Sequence, residues 1–403
     1  MFFLIMEYDY LLSLCVILLS TKFFGIISRR AQMPQVVGSL MAGLFFGPAV
    51  LGVITKEFFG QQICLMPSPL IKHLAELGVI VIMFTAGMET NLNELKSSGK
   101  SGFTVASCGV ILPLCMGTGL MYLFDSEINL PSALFVGAVL TATSVSITVE
   151  TLKEICKLQT QAGNIILAAA LIDDILGLIC LTLVTGMASG EINLFFVLVK
   201  IIAFFIFVGI AGLTYHVYML WFDKVNGEKN LRRYPVIGFA FCMFIAWAAE
   251  RLFGVADIIG AFAAGMIISM SPKGDYIAGK FDTISYLLLT PVFFANIGLE
   301  VTLQSMSWWL IFFTAVLVFV SVISKLAGCG LGARMCGISR HESFQIGLGM
   351  VCRGEVALIV ANKGLAMHMI DEKYIGPIII MVIICTIVTP IFLKNAFKDR
   401  ETV

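Results

Sequence analysis

Charged side chains are scarce in this sequence: 26 basic and 26 acidic residues among 403, or 13% against 59% hydrophobic. So little polar surface cannot clothe soluble domains of this length, and the apolar residues come in long blocks instead of helical stripes. The formal net charge is zero, which removes any electrostatic case for a nucleic-acid partner. Histidine is scarcer still. His73, His216, His341 and His368 lie scattered toward the ends of apolar blocks, with no metal-ligand spacing and no nucleophile-base pairing, so an enzyme is not expected. The eleven cysteines lack the paired spacing of a zinc site or of a secreted disulfide framework and read as small core residues. The first apolar block starts near Tyr8 without a basic leader or a small-residue cleavage site, so a retained helix is expected there; a short tail, "KNAFKDRETV", follows the last block, and no soluble domain is expected.

What the chain does have is a series of thirteen apolar stretches: roughly 8–27, 33–53, 70–88, 102–124, 131–152, 161–187, 193–221, 235–253, 256–270, 283–299, 307–330, 341–362 and 374–393. Blocks of about 20 apolar residues cross a hydrocarbon core of about 30 Å as helices, whereas barrel strands would alternate polar and apolar residues. The expected fold class is therefore an all-α membrane protein with about 13 transmembrane helices. If the first loop, "SRRAQ", is cytoplasmic, the loops on that side and the C-terminal tail hold 17 Lys/Arg, while the opposite side holds only Lys56, Arg251, Lys363 and Lys373. That asymmetry predicts a cytoplasmic C-terminus and an external N-terminus.

The chain also repeats itself. "VGSLMAG" at 37–43 recurs as "IGAFAAG" at 259–265, "GMETNL" at 87–92 as "GLEVTL" at 298–303, and "VGAVLTATS" at 136–144 as "IGLGMVCRG" at 346–354. The matches keep their order at offsets of 222, 211 and 210, pairing the second to sixth stretches with the ninth to thirteenth. A shift of seven spans is odd, so the two copies enter the membrane in opposite senses. Inverted-topology repeats mark secondary transporters, whose sites lie near the midplane at the repeat interface, often on discontinuous helices. The expected organisation is one membrane unit over 1–403, with repeats at about 33–187 and 256–393, an extra N-terminal helix at 8–27 and linking helices at 193–253.

Ionisable residues deep in apolar context are few: Asp173, Asp174, Lys22, Lys200, Lys325, Arg353 and Glu355. Lys22 and Lys200 stand near span ends, from which their ammonium groups can snorkel to the interface. The others need partners, because a charge at the centre of a membrane helix costs on the order of 2.5–3.5 kcal/mol on insertion scales. Lys325 is the only charge between Val301 and Leu331 and must find an acid or water. Asp173 and Asp174 are adjacent in "NIILAAALIDDILGLICLTLV", and successive helical residues point about 100° apart, so they cannot both face one partner. One carboxylate is expected to pair with Lys325 and the other to open into a watery cavity as a cation and proton site. Two carboxylates in a low dielectric repel one another and resist ionising, the condition under which proton and cation compete for one site.

The stretches 131–152 and 341–362 read as broken helices. "LTATSVSITVE" is rich in Thr and Ser, whose side chains satisfy freed backbone groups, and its repeat-mate "MVCRGEVAL" sets Arg353, Gly354 and Glu355 in mid-membrane. Half-helix ends there would present dipoles and free carbonyls to an ion. Arg353 and Glu355 are too close in sequence to face each other on a regular helix, which favours an unwound segment or outside partners.

"TATS", "ALIDDILGL", the "SKLAG" lysine and "RGEVALIV", in that order and spacing, resemble the bacterial monovalent cation:proton antiporter-2 family, specifically its short members with a paired aspartate, over nearly the whole chain. The resemblance implies the sodium/proton antiporter fold, a dimer with a core domain of two crossed, unwound helices moving against a dimerisation domain. It implies that Asp174 is the principal ion-binding carboxylate, and that Asp173 is its partner, bridged to Lys325 when no cation is bound. Thr141 and Thr143 would lie in the first crossover and Arg353 and Glu355 in the second. Paired aspartates lean toward the electrogenic class, which moves more protons than cations. Larger potassium-efflux relatives carry a C-terminal nucleotide-binding domain, which is not expected here, and some relatives place an acid in the first crossover where this chain has Ser144.

The expected function is exchange of a monovalent cation, Na⁺ ahead of K⁺ or Li⁺, for protons by alternating access in the bacterial cytoplasmic (inner) membrane. No cofactor is expected beyond the transported ions, with Na⁺ at Asp174 and Asp173; the partners are those ions, the lipid bilayer and a second copy of the chain. Two other classes share these features: a K⁺ or cation efflux channel, which would pass ions without proton exchange, and an Na⁺-coupled solute symporter. Selectivity, stoichiometry, pH activation and direction depend on geometry that sequence does not carry.

Overall fold

The computed structural model describes residues 9–31, 33–59, 64–66, 68–90, 92–125, 127–189, 194–226, 231–301 and 307–398. Among the described residues there is no β-strand. The helices are α1 (Asp9–Arg30), α2 (Gln35–Phe46), α3 (Val53–Phe59), α4 (Pro69–Glu89), α5 (Leu92–Phe124), α6 (Leu130–Val139), α7 (Val145–Glu154), α8 (Gln161–Ser189) and α9 (Leu194–Asn226). They continue as α10 (Arg233–Ala248), α11 (Asp257–Ser269), α12 (Gly274–Ile284), α13 (Thr290–Leu299), α14 (Trp308–Met335), α15 (Arg340–Gly349), α16 (Glu355–Ala366) and α17 (Glu372–Ala396). Single π-helical turns at Pro48–Gly52 and Ser285–Leu289 join α2 to α3 and α12 to α13 in sequence.

Ten helical stretches among the described residues are long and apolar enough to cross a membrane, not thirteen. Three expected spans, 131–152, 256–270 and 341–362, fall instead on shorter pieces. The reason is geometric. The stretch 131–152 divides into α6 and α7, and 341–362 divides into α15 and α16; a ten-residue helix rises only about 15 Å, half a bilayer core. Local chemistry sets these ends. Asn129 caps α6, its side chain accepting from the Ser132 N–H, and Ser339 caps α15 by accepting from Glu342 N–H while its hydroxyl donates to the Glu342 carboxylate. At the inner ends, α6 stops at a β-branched "TAT" run whose hydroxyls bond back to the backbone.

The chain divides into two compact units: Met1–His73, Leu95–Ile192 and Pro291–Val403 form the first, and Leu74–Glu94 with Asn193–Thr290 the second. In the first unit, α6, α16 and α17 pack with α5, α8 and α14 around Phe135, Val139, Phe313, Ala357, Tyr374 and Met381. Tyr374 Oη donates to Asp125 Oδ2 at 3.0 Å with Lys373 Nζ at 3.4 Å, tying the α5–α6 loop to α17; the tyrosine hydroxyl bond and the nearby ammonium hold the Asp125 carboxyl below the usual carboxylate range. In the second unit α10 packs on α11, and α9 presents apolar side chains such as Phe205, Ile206 and Leu213 outward, as a lipid-facing helix does.

One helix crossing in each unit follows the repeat register. In the first, Gly43 of α2 lies against the Ala295 carbonyl of α13, and Gly298 of α13 lies against Leu40 O and Leu44 N. In the second, Gly265 of α11 lies against the Phe84 carbonyl of α4, and Gly87 of α4 lies against Phe262 O and Met266 N. Offsets of 222 and 211 convert the first set of contacts into the second, residue for residue. Backbones approach this closely only where no Cβ intervenes, the small-residue packing typical of membrane helices.

A Cβ on Gly298 would lie 2.6 Å from Leu40 O, so Gly298→Val is expected to destabilise the protein by about 1–3 kcal/mol through overpacking. Gly119→Ala, on α5 with nothing within 4 Å of the added methyl, is expected to hold or raise stability. Thermal unfolding of the detergent-purified protein separates the two; equal midpoints would mean that the crossing tolerates side chains.

Candidate functional site

The helix α8 carries "AALIDDILG" through the middle of its length, with Asp173 and Asp174 as its only charges. Asp173 is 2% exposed, whereas Asp174, turned about 100° round the helix, is more open. From α14, the fully buried Lys325 donates from Nζ to Asp173 Oδ1 at 2.7 Å. Room for the ammonium is left by Gly109 of α5, where a Cβ would strike Cys329 Sγ and come within 3.6 Å of Lys325 Nζ. A buried ion pair is a poor stabiliser, since desolvating each ion costs several kcal/mol against the Coulomb gain. What it does is tie charge states together: neither partner can lose its charge or its neighbour without leaving the other exposed to a low dielectric.

The two chain breaks meet at main-chain level. Ser144 N–H, at the start of α7, donates to Cys352 O at 3.0 Å, and the Thr148 hydroxyl donates to Gly349 O at 2.8 Å. Arg353 lies in the extended linker between α15 and α16 and is fully buried. Its Nη1 donates to Ala142 O just beyond the C-terminal end of α6, where the helix dipole is negative. Its Nε donates to Ser321 Oγ of α14 at 3.3 Å, and its own carbonyl accepts from the Thr386 hydroxyl of α17. The first crossover thus gains a guanidinium from the second. Thr141 and Thr143 are both buried in the first linker, with Thr141 Oγ1 donating to Ala138 O at 2.7 Å and Thr143 Oγ1 to Thr141 O at 3.4 Å. The donor side of each hydroxyl is used locally, which leaves oxygen lone pairs as acceptors. Glu355 opens α16, and its side chain lies outside the described residues.

Two broken helices thus meet beside a helix with paired carboxylates. The family described as "Sodium/hydrogen exchanger, transmembrane" matches residues 16–398. The chain belongs to the sodium/hydrogen exchanger family. This exchanger is 38% identical over 402 residues to the Na(+)/H(+)-K(+) antiporter GerN of Bacillus cereus, covering 98% of each chain. It is 32% identical to an Na(+)/H(+) antiporter of Enterococcus hirae, covering 96% of this chain and 97% of that one. Among solved structures, the sodium proton antiporter MjNhaP1 of Methanocaldococcus jannaschii shares its fold with a TM-score of 0.70 at 14% identity, covering 97% of this exchanger and 96% of that chain.

Two residues that hold the exchanger's crossover escaped the sequence reading. Ser321 stands one turn before Lys325, so an i, i+4 count along α14 would have placed its hydroxyl on the lysine's face. Thr386 has a weaker signal, a hydroxyl within "IICTIVTP", and nothing local says that it meets the Arg353 carbonyl. Lys325→Met would leave Asp173 buried without its ammonium, at an expected cost on the order of 3–5 kcal/mol. Adding Asp173→Asn to that variant is expected to restore much of the loss. Thermal midpoints of the single and double variants check this, and a single variant as stable as the parent would show that the pair bears no structural weight.

Proposed function

We propose that this exchanger moves a monovalent cation, Na⁺ ahead of K⁺ or Li⁺, against protons by alternating access, and that Asp174 is its principal ion-binding group. The observation that carries this reading is the unequal pair on α8: Asp173 is buried against Lys325 at 2.7 Å, and Asp174 is the more open. The names of the relatives, Na⁺/H⁺ antiporters at 38% and 32% identity, support the ion and the coupling, and the first adds K⁺ to the candidates.

In the proton-loaded form Asp174 is protonated and Lys325 neutralises Asp173, so the site carries no net charge and the moving body crosses the bilayer without a cation. In the cation-loaded form both carboxylates are ionised around a partly dehydrated ion and Lys325 withdraws from Asp173. Oxygen-only ligands suit a hard alkali cation, and the acceptor oxygens of Thr141 and Thr143 with nearby backbone carbonyls are suitable additions. Each ligand stabilises its own loaded form, so exchange follows from competition at one place and not from simultaneous binding. Asp173 stays ionised in both forms, so the second proton must come from Lys325. The lysine displaced from Asp173 gives up its proton together with Asp174, so two protons leave for each cation bound and the cycle is electrogenic. The protein would work as a homodimer in the bacterial cytoplasmic membrane, its N-terminus outside and its C-terminus inside, as the 17-to-four Lys/Arg asymmetry supports. Its repeats at about 33–187 and 256–393 would rock about the site.

Liposomes containing purified protein and an internal pH dye should show Na⁺-driven proton movement. Asp174→Asn is expected to lower it by about a hundredfold or more, since losing a buried charged partner is worth about 3 kcal/mol or more. Exchange left unchanged in Asp174→Asn would overturn the assigned site, and cation current at symmetric pH with no proton counter-movement would overturn exchange itself.

A further inference from the structure

We propose a second monovalent-cation site, at the end of α13, formed by Asn296 and Glu300 and guarded by Lys72. This rests on the exchange reading above but assigns residues that the Asp174 site does not use. Asn296 is 8% exposed, and its Nδ2 donates to Glu300 Oε1 at 3.3 Å. The amide is thereby oriented, because the reverse setting would place oxygen against carboxylate. Its other atom, Oδ1, is buried and has no hydrogen-bond partner among the described residues. A buried carbonyl oxygen left unsatisfied is costly, so it calls for a donor or a cation.

The surroundings favour a cation. Glu300 directly follows the last residue of α13, where the helix dipole is negative. The Glu300 carboxylate, which holds the same amide through Nδ2, brings a full negative charge to it. Every ligand offered is oxygen, the preference of an alkali cation. Lys72 Nζ lies 3.7 Å from Glu300 Oε1, and both side chains are partly exposed, at 50% and 35%. An ammonium so placed neutralises Glu300 when no metal ion is present and can swing into solvent when one arrives. The repeat register that maps Gly87 onto Gly298 maps Thr85 onto Asn296 and Glu89 onto Glu300. Thr85, however, donates its hydroxyl to Ile82 O at 2.9 Å and leaves no oriented amide oxygen, so the site is built in one repeat only.

The charge asymmetry assigns this end of α13 to the outer face, so the site would concentrate external cation ahead of the main carboxylates. It predicts opposite effects of two neighbouring substitutions. In right-side-out vesicles of the full-length protein with an internal pH dye, Glu300→Gln and Asn296→Ser are each expected to raise the KM for external Na⁺ about five-fold, the equivalent of about 1 kcal/mol at a partly exposed site. Lys72→Gln is expected to lower it, with kcat and the pH profile unchanged in all three. In inverted vesicles, where Na⁺ meets the inner face, none should shift KM. A KM for external Na⁺ unaffected by Glu300→Gln, or moved the same way by Glu300→Gln and Lys72→Gln, would overturn the site and leave a packing contact. A second measurement does not depend on exchange: in Asp174→Asn protein, Na⁺ over choline should still raise the thermal midpoint, and adding Glu300→Gln should remove that rise. No Na⁺-specific rise in Asp174→Asn would refute the second site, whereas a parent protein that shows the rise without exchanging protons would refute only the exchange reading.

Discussion

The Lys325–Asp173 ion pair constrains everything around it. Two opposite charges, 0% and 2% exposed, face each other at 2.7 Å in a chain whose apolar stretches were built to exclude charge. Such a pair adds little net stability over apolar side chains of the same size. Its effect is conditional: the lysine settles the aspartate's charge only while it stays, and anything else positive that approaches Asp173 must first displace it. The two adjacent acids therefore differ in setting: Asp173 is buried against Lys325, and Asp174, on another side of the helix, is the more open.

A second constraint comes from breaking two helices inside a bilayer, where freed backbone groups have no water to meet them. The protein answers with main-chain pairing, Ser144 N–H to Cys352 O, and with the Arg353 guanidinium set between the Ala142 carbonyl and Ser321. An acid in the first crossover is not the device used here; Ser144 contributes backbone, and a positive charge from the opposite linker meets the carbonyl end of α6. Ser321 and Lys325 stand four residues apart on α14, so one rigid helix touches both the crossover and the ion pair. A change at either is felt by the same rod.

The parts of this arrangement legible in the sequence were those that break a strong pattern. A lysine that is the only charge between Val301 and Leu331, two adjacent acids, and glycines recurring at fixed offsets all stand out because membrane helices penalise or restrict them. The family and its fold were legible for the same reason. The hydrophobic pattern could count stretches but not continuous spans: half-length helices are as apolar as whole ones, so the breaks at 140–144 and 350–354 are marked only by Thr, Ser, Arg and Gly. Helical geometry also left open which aspartate Lys325 meets, because that depends on the rotation of α8, a property of packing between helices far apart in sequence. Ser321 and Thr386 were missed because a hydroxyl in a membrane helix satisfies itself on its own backbone so readily that it carries little information about distant partners.

The glycine crossings bear on how such a protein can diverge. Where α2 meets α13, and α4 meets α11, contact is between bare backbones, which are alike in every amino acid. At those positions a side chain would meet backbone, while the neighbouring residues of α2 and α13 are themselves mostly buried. The same fold, with a TM-score of 0.70, is carried by a chain that shares only 14% of its residues.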